Sequence, residues 1–147
     1  MGQCLVKPIS AASRETGTIA GELHIPFTTG LLLGIGETPQ DRLSDLEALL
    51  QLHQRYGHVQ ELIIQNFRAK PGTPMAAHPE PTQHAHLQTI AMARLVFGPS
   101  MNIQAPPNLS CDGNSSPEEH AASWQAIIDA GAVVKQHAPA TSTLSTE

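Results

Sequence analysis

The chain of 147 residues is 40% hydrophobic, enough for a packed core, yet only 3% aromatic, so that core has to be aliphatic. A formal charge of −5 with eight Lys and Arg leaves no basic footprint for nucleic acid, and the eight histidines are scattered rather than clustered. Two cysteines, Cys4 and Cys111, are too few for a disulfide framework and lack C-x-x-C spacing; with no apolar run near the roughly 20 residues of a membrane span, a reduced cytoplasmic setting is expected.

Residues 1 to 10 read as an irregular N-terminal segment. The start MGQC carries the glycine and cysteine of a lipidation signal, but Val6 stands where Ser or Thr is required. A helix is expected over about 11 to 23. Residues 25 to 34 (IPFTTGLLLG) then read as a strand, with the unbroken LLL suggesting burial on both faces. Thr38 is a good N-cap, Pro39 suits the first helical position and Asp41 comes three after the cap. Leu43, Leu46, Leu49, Leu50 and Leu52 give that helix an apolar stripe, and Gly57 is its natural stop.

The alternation repeats. Residues 61 to 67 (ELIIQNF) form a second strand, followed by the loop RAKPGTPM. A helix is expected over about 82 to 97, with Leu87, Ile90, Ala91 and Leu95 inward. A third strand falls at about 101 to 105, closed by Pro106 and Pro107. Ser116-Pro-Glu-Glu119 is a capping box opening a helix that stops before Gly131. Residues 11 to 131 are thus one α/β unit of parallel βα repeats, while 132 to 147 lack apolar periodicity and read as a disordered tail. Such repeats build either a doubly wound sheet or part of a (β/α)8 TIM-type barrel; a full barrel takes roughly 250 residues, so this chain supplies about half of one.

Ligands gather at the carboxyl ends of parallel strands, and three such ends are visible. At the first, Gly34 and Gly36 let the main chain turn sharply and let a flat ligand approach without a Cβ in the way. The same spacing is equally that of an ordinary capped βα turn. A dinucleotide fingerprint is excluded by Pro39 at the third glycine position, and a phosphate loop by the lack of Gly-Lys-Ser/Thr. At the second end, Gln65 and Asn66 are expected to turn toward the mouth of a pocket, with Arg68 and Lys70 either holding an anionic ligand or solvated in a loop. At the third, Gln104 and Asn108 offer hydrogen-bonding groups. His84 and His86, two apart on a helix, face different ways and read as solvated. No Ser/His/Asp or Cys/His set marks a hydrolase.

Taken together these stretches resemble a known family. TTGLLLGIGET is similar to the G-x-I-x-G-x-x-E element on the fifth barrel strand of radical S-adenosylmethionine enzymes, here Gly30, Leu32, Gly34 and Glu37, with Leu in the Ile place. QNFRAKPGTPM resembles the sixth-strand region of the biotin synthase-like branch. The wording IPFTTGLLLGIGET, YGHVQELIIQNFRAKPGTPM and IQAPPNL, spanning residues 14 to 110, is similar to the FO synthase (7,8-didemethyl-8-hydroxy-5-deazariboflavin synthase) subgroup, in its first subunit or half.

The resemblance implies strands five to seven of the family barrel. It places Thr29, Gly30, Leu32, Gly34, Glu37, Asn66 and Phe67 around the adenine of S-adenosylmethionine, with Glu37 either touching the cofactor or holding the loop. Gln65, Arg68, Lys70, Gln104 and Asn108 would line the substrate side. It implies a lyase in which a 4Fe-4S cluster and S-adenosylmethionine act on a tyrosine-derived ribityl-uracil adduct, releasing ammonia to form the deazaflavin. The family's C-x3-C-x2-C cluster loop and Asp-Trp-Gly-Gly segment have no counterpart in these residues. The expectation is therefore a fragment whose partner is the second FO synthase subunit or half, or the remaining barrel segment. The alternative is a non-catalytic α/β module that self-associates or binds an adenine nucleotide.

Overall fold

The structure, a computed structural model, describes residues 11 to 106, 122 and 125 to 130. The elements run α1 (Ala11–Glu22), β1 (Phe27–Leu33), α2 (Pro39–Tyr56), β2 (Val59–Asn66), α3 (Gln83–Phe97) and β3 (Asn102–Gln104). Residues 125 to 129 are helical. The three strands form one parallel sheet in the order β1-β2-β3, with Leu33 opposite Asn66 and Ile63 opposite Gln104.

Burial alternates along each strand. Leu31 and Leu33 of β1, Leu62 and Ile64 of β2, and Ile103 of β3 are buried, while Thr28, Leu32, Gln65 and Asn102 are exposed. Alternate residues of a strand point to opposite faces. One face is therefore covered by the helices and the other is open among the described residues. LLL does not mark a strand buried on both sides: Leu32 is 43% exposed between two buried leucines. A parallel sheet in simple sequential order with one face covered by helices is consistent with a partial βα barrel.

The core is aliphatic, as composition requires: Leu33, Leu46, Leu62, Ile64, Ile90, Ile103 and Ile127 are fully buried within it. Each contributes about 1.5–3 kcal/mol of apolar burial. The closures are also those expected. The Thr38 side chain accepts from the Asp41 N–H, the Asp41 carboxylate accepts from the Thr38 N–H, and Gly57 ends α2 in the left-handed conformation at φ 67°. Thr82 caps α3 by accepting from the Ala85 N–H. The α1 helix packs through small residues, for a Cβ on Gly17 would meet Leu52 and one on Gly21 would strike the Tyr56 ring.

One helix face differs from expectation. On α3 the buried residues are His86, Thr89, Ile90 and Ala93, whereas Ala91 is exposed and Leu95 is 86% exposed. Ile90 is fully buried and Leu87 packs partly buried against the core, as expected, so the inward face is rotated from the expected one toward His86 and Thr89, whose hydrogen bonds are described below. The capping box at 116 to 119 and the segment 132 to 147 lie outside the described residues. Among the described residues no helix is long and apolar enough to cross a membrane.

Candidate functional site at the strand ends

At the end of β1 the chain passes through Gly34 at φ 87° and Gly36 at φ 109°, conformations that side chains with a Cβ avoid. The turn folds over its own acid. The Glu37 carboxylate accepts from the Gly34 N–H at 2.9 and 3.1 Å and from the Ile35 N–H at 2.9 Å. Arg42, one turn into α2, donates its Nε–H to Glu37 at 2.9 Å and lies 2.8 Å away through its second nitrogen. Both side chains are about nine-tenths buried. Burial pushes the Glu37 carboxyl up, but the main-chain N–H groups of Gly34, Glu37 itself and Ile35, with the Arg42 guanidinium, outweigh it and hold the group below the usual carboxylate range. Of the two roles open to Glu37, the geometry engages it in holding the loop.

The glycines have packing reasons too. A Cβ on Gly30 would run into the main chain of Ile63 on the neighbouring strand, and one on Gly34 would meet the Pro81 ring. Clearance at both positions is thus taken up by the protein itself. Thr29 is half-buried, and Leu32 stands on the open face opposite Gln65, so residues assigned to the cofactor side and to the substrate side are register partners.

At the end of β2, Gln65 is exposed but Asn66 is turned the other way, into the layer between sheet and helix. This corrects the expectation that both side chains face a pocket mouth; period-two alternation allows only one of two successive residues to do so. The Asn66 amide lies 3.2 Å from His86 Nδ1, and His86 Nε2 lies 3.0 Å from the Ile64 carbonyl. A carbonyl can only accept, so Nε2 carries the proton and Nδ1 accepts from the Asn66 amide. His86 is 1% exposed, not solvated as expected; burial pushes its pKa down, with the Ile64 bond opposing more weakly. His84 is exposed, as anticipated. The Phe67 N–H continues the ladder to the Leu33 carbonyl at 2.7 Å.

Beyond Phe67 the chain opens. Arg68 pairs with Glu80, whose other oxygen accepts from the Ala69 N–H at 2.9 Å, so Arg68 is a loop clasp rather than a solvated cation. Phe67, Arg68, Lys70, Thr73, Pro74 and Met75 line an open, largely apolar hollow of about 470 Å³. Lys70 is exposed at its rim. Gln104, with its amide nitrogen turned to Glu61, donates to that carboxylate at 3.1 and 3.3 Å on the open face. Asn108 lies outside the described residues.

Sequence reasoning missed Arg42, Glu80, Pro81, His86 and Thr89. Arg42 sits five residues after Glu37, a separation with no helical meaning until the turn between them is known. Glu80 and Thr89 are brought in only by tertiary packing. Among the described residues no three His, Cys, Asp or Glu side chains converge to hold a metal.

No protein-family model matches the chain. It is 58% identical over 91 residues to a 7,8-didemethyl-8-hydroxy-5-deazariboflavin synthase of Methanopyrus kandleri, covering 62% of this chain and 27% of that protein. It is 59% identical over 92 residues to an FO synthase of Mycobacterium tuberculosis, covering 63% of this chain and 11% of the relative. Against the corresponding synthase of Methanosarcina acetivorans the identity is 52% over 95 residues, 65% of this chain and 29% of that one. The matched stretch thus spans less than a third of these relatives. Over about 62% of its length, the chain is a homologue of part of the FO synthases.

Proposed function

We propose that this chain supplies the cofactor-facing and substrate-side strand ends of a radical S-adenosylmethionine enzyme making the deazaflavin FO from a tyrosine-derived ribityl-uracil adduct, with release of ammonia. The observation that carries the reading is 58% identity over 91 residues to a protein of that name, in a chain whose parallel strands end side by side. The remaining barrel strands, or a second FO synthase subunit, would complete the site.

The residues present fit the two cofactors unequally. Two cysteines in the whole sequence, and no converging set of ligands among the described residues, do not fit a 4Fe-4S cluster; that function falls to protein outside this stretch. S-adenosylmethionine fits better. Leu32 offers a large exposed apolar side chain on the open face for a flat base. The clamped loop at Gly34 to Glu37 would present a fixed main-chain edge, since its N–H groups are already engaged. Main chain at Asn66 and Phe67 would read the base edge, Gln65 and Gln104 would face substrate, and Lys70 would meet an anionic or carbonyl-rich part of it. When bound, the cofactor supplies hydrogen-atom abstraction; the chain's residues hold, orient and exclude water.

The test is an NMR titration of the 15N-labelled chain with S-adenosylmethionine and, separately, with GTP. Shifts at Leu32, Gly34 and Phe67 with the former alone are expected. Absence of any shift with S-adenosylmethionine would end the adenine-binding reading.

A further inference from the structure

The two strand ends are tied to the same patch of one helix. From α3, His86 reaches the β2 end through Asn66 Nδ2 at 3.2 Å and the Ile64 carbonyl at 3.0 Å. Thr89, three residues on and therefore on the same helix face, accepts from Arg42 Nη1 at 3.3 Å and donates to the Ala85 carbonyl at 2.8 Å. Arg42 in turn grips Glu37, which holds the Gly34 and Ile35 N–H groups at the β1 end. Two sets of contacts thus meet on the α3 backbone: Gly34 loop, Glu37, Arg42 and Thr89 from one side, and the end of β2, Asn66 and His86 from the other. His86 and Thr89 are buried at 1% and 0% exposure. Two polar side chains in an aliphatic core cost free energy unless bonded; His86 bonds directly to the β2 end, while Thr89 donates within α3 and accepts from Arg42, which holds the β1 loop through Glu37.

We infer that His86 and Thr89 are positioning residues that set the spacing between the β1 and β2 strand ends, with α3 as the common anchor. This rests on the reading of those ends as ligand-facing. A ligand spanning Leu32 and Phe67 would need that spacing fixed before it binds. His86 also fixes which end of the Asn66 amide faces α3. The Ile64 carbonyl dictates the imidazole tautomer, the tautomer dictates that Asn66 donates, and Asn66 Oδ1 is left as a buried acceptor without a partner.

The experiment is native-state amide hydrogen exchange on the full chain, comparing Thr89→Val, His86→Leu and His86→Gln with the wild type. Ile90→Val serves as a core control that touches neither tie. Thr89→Val is expected to raise exchange at Gly34 and Ile35 and also at Phe67, by roughly five- to tenfold as for the loss of one buried hydrogen bond. His86→Leu is expected to do the same at both ends. His86→Gln, which keeps one donor and one acceptor, is expected to restore wild-type exchange. Ile90→Val should move only amides that exchange by global unfolding. If each variant loosens only its own strand end, or matches the Ile90→Val pattern, the inference is overturned. Should His86→Leu not fold, Thr89→Val decides alone. The outcome is separable from the proposed ligand: a wild-type chain that ignores S-adenosylmethionine would sink the cofactor reading and leave the exchange coupling as measured.

Discussion

The end of β1 and the end of β2 stand side by side in the sheet but are built on opposite plans. The first is closed upon itself, with loop N–H groups, a carboxylate, a guanidinium and a threonine hydroxyl joined in a buried chain. The second runs out into an exposed loop clasped by a part-exposed Arg68–Glu80 pair over an open apolar hollow. The contrast is measurable because ion pairs of the same chemistry sit in such different surroundings.

Breaking the buried pair should have the largest effect. Arg42→Ala leaves the Glu37 charge nearly buried and unpaired, and is expected to cost about 3–5 kcal/mol in chemical denaturation, or to prevent folding. Next come the glycines. Gly34→Ala combines a left-handed conformation with a collision at Pro81, for an expected loss of about 2–3 kcal/mol. Gly72→Ala in the second loop, at φ 78° with open space around it, should cost only about 1 kcal/mol.

Acid should dismantle the two plans in order. His86 has a folded pKa below its ordinary 6.5, so its contribution is intact above about pH 6.5 and is lost as pH falls toward the depressed value. Glu37, also depressed, keeps its contribution above its ordinary 4.5 and loses it only as pH falls further. Denaturation midpoints from pH 8 to pH 3 should show both stages in the wild type, with the upper one diminished in His86→Gln. A single acid stage unchanged by that substitution would contradict the tie at the β2 end.

Smaller effects sharpen the comparison. Thr38→Ala removes the capping box at the exit of the first loop and should cost about 1 kcal/mol. Arg68→Ala, at the more exposed clasp, should cost less than about 1 kcal/mol in stability. An Arg68→Ala cost equal to that of Arg42→Ala would erase the distinction between the two ends.

The sequence by itself determined the alternation of elements, the caps at Thr38 and Gly57, and the aliphatic core, because these depend on propensity, local hydrogen bonds and period. It also carried the family likeness, since motif wording and spacing survive in a single chain. What it left open was which face of a strand or helix turns inward. Leu32 lies in an apolar run yet is exposed; Leu95 completes an apolar stripe yet is exposed; His86 reads as a surface histidine yet is buried. Only the tertiary structure decided these. On α3 hydrophobicity places Leu87, Ile90, Ala91 and Leu95 inward, and partners at Ile64, Asn66 and Arg42, 20 to 47 residues distant, rotate the buried face toward His86 and Thr89. The same holds for Glu37: its place in the motif was legible, but the folding of its carboxylate back onto Gly34 and Ile35 required the left-handed turn and the buried arginine to be present together.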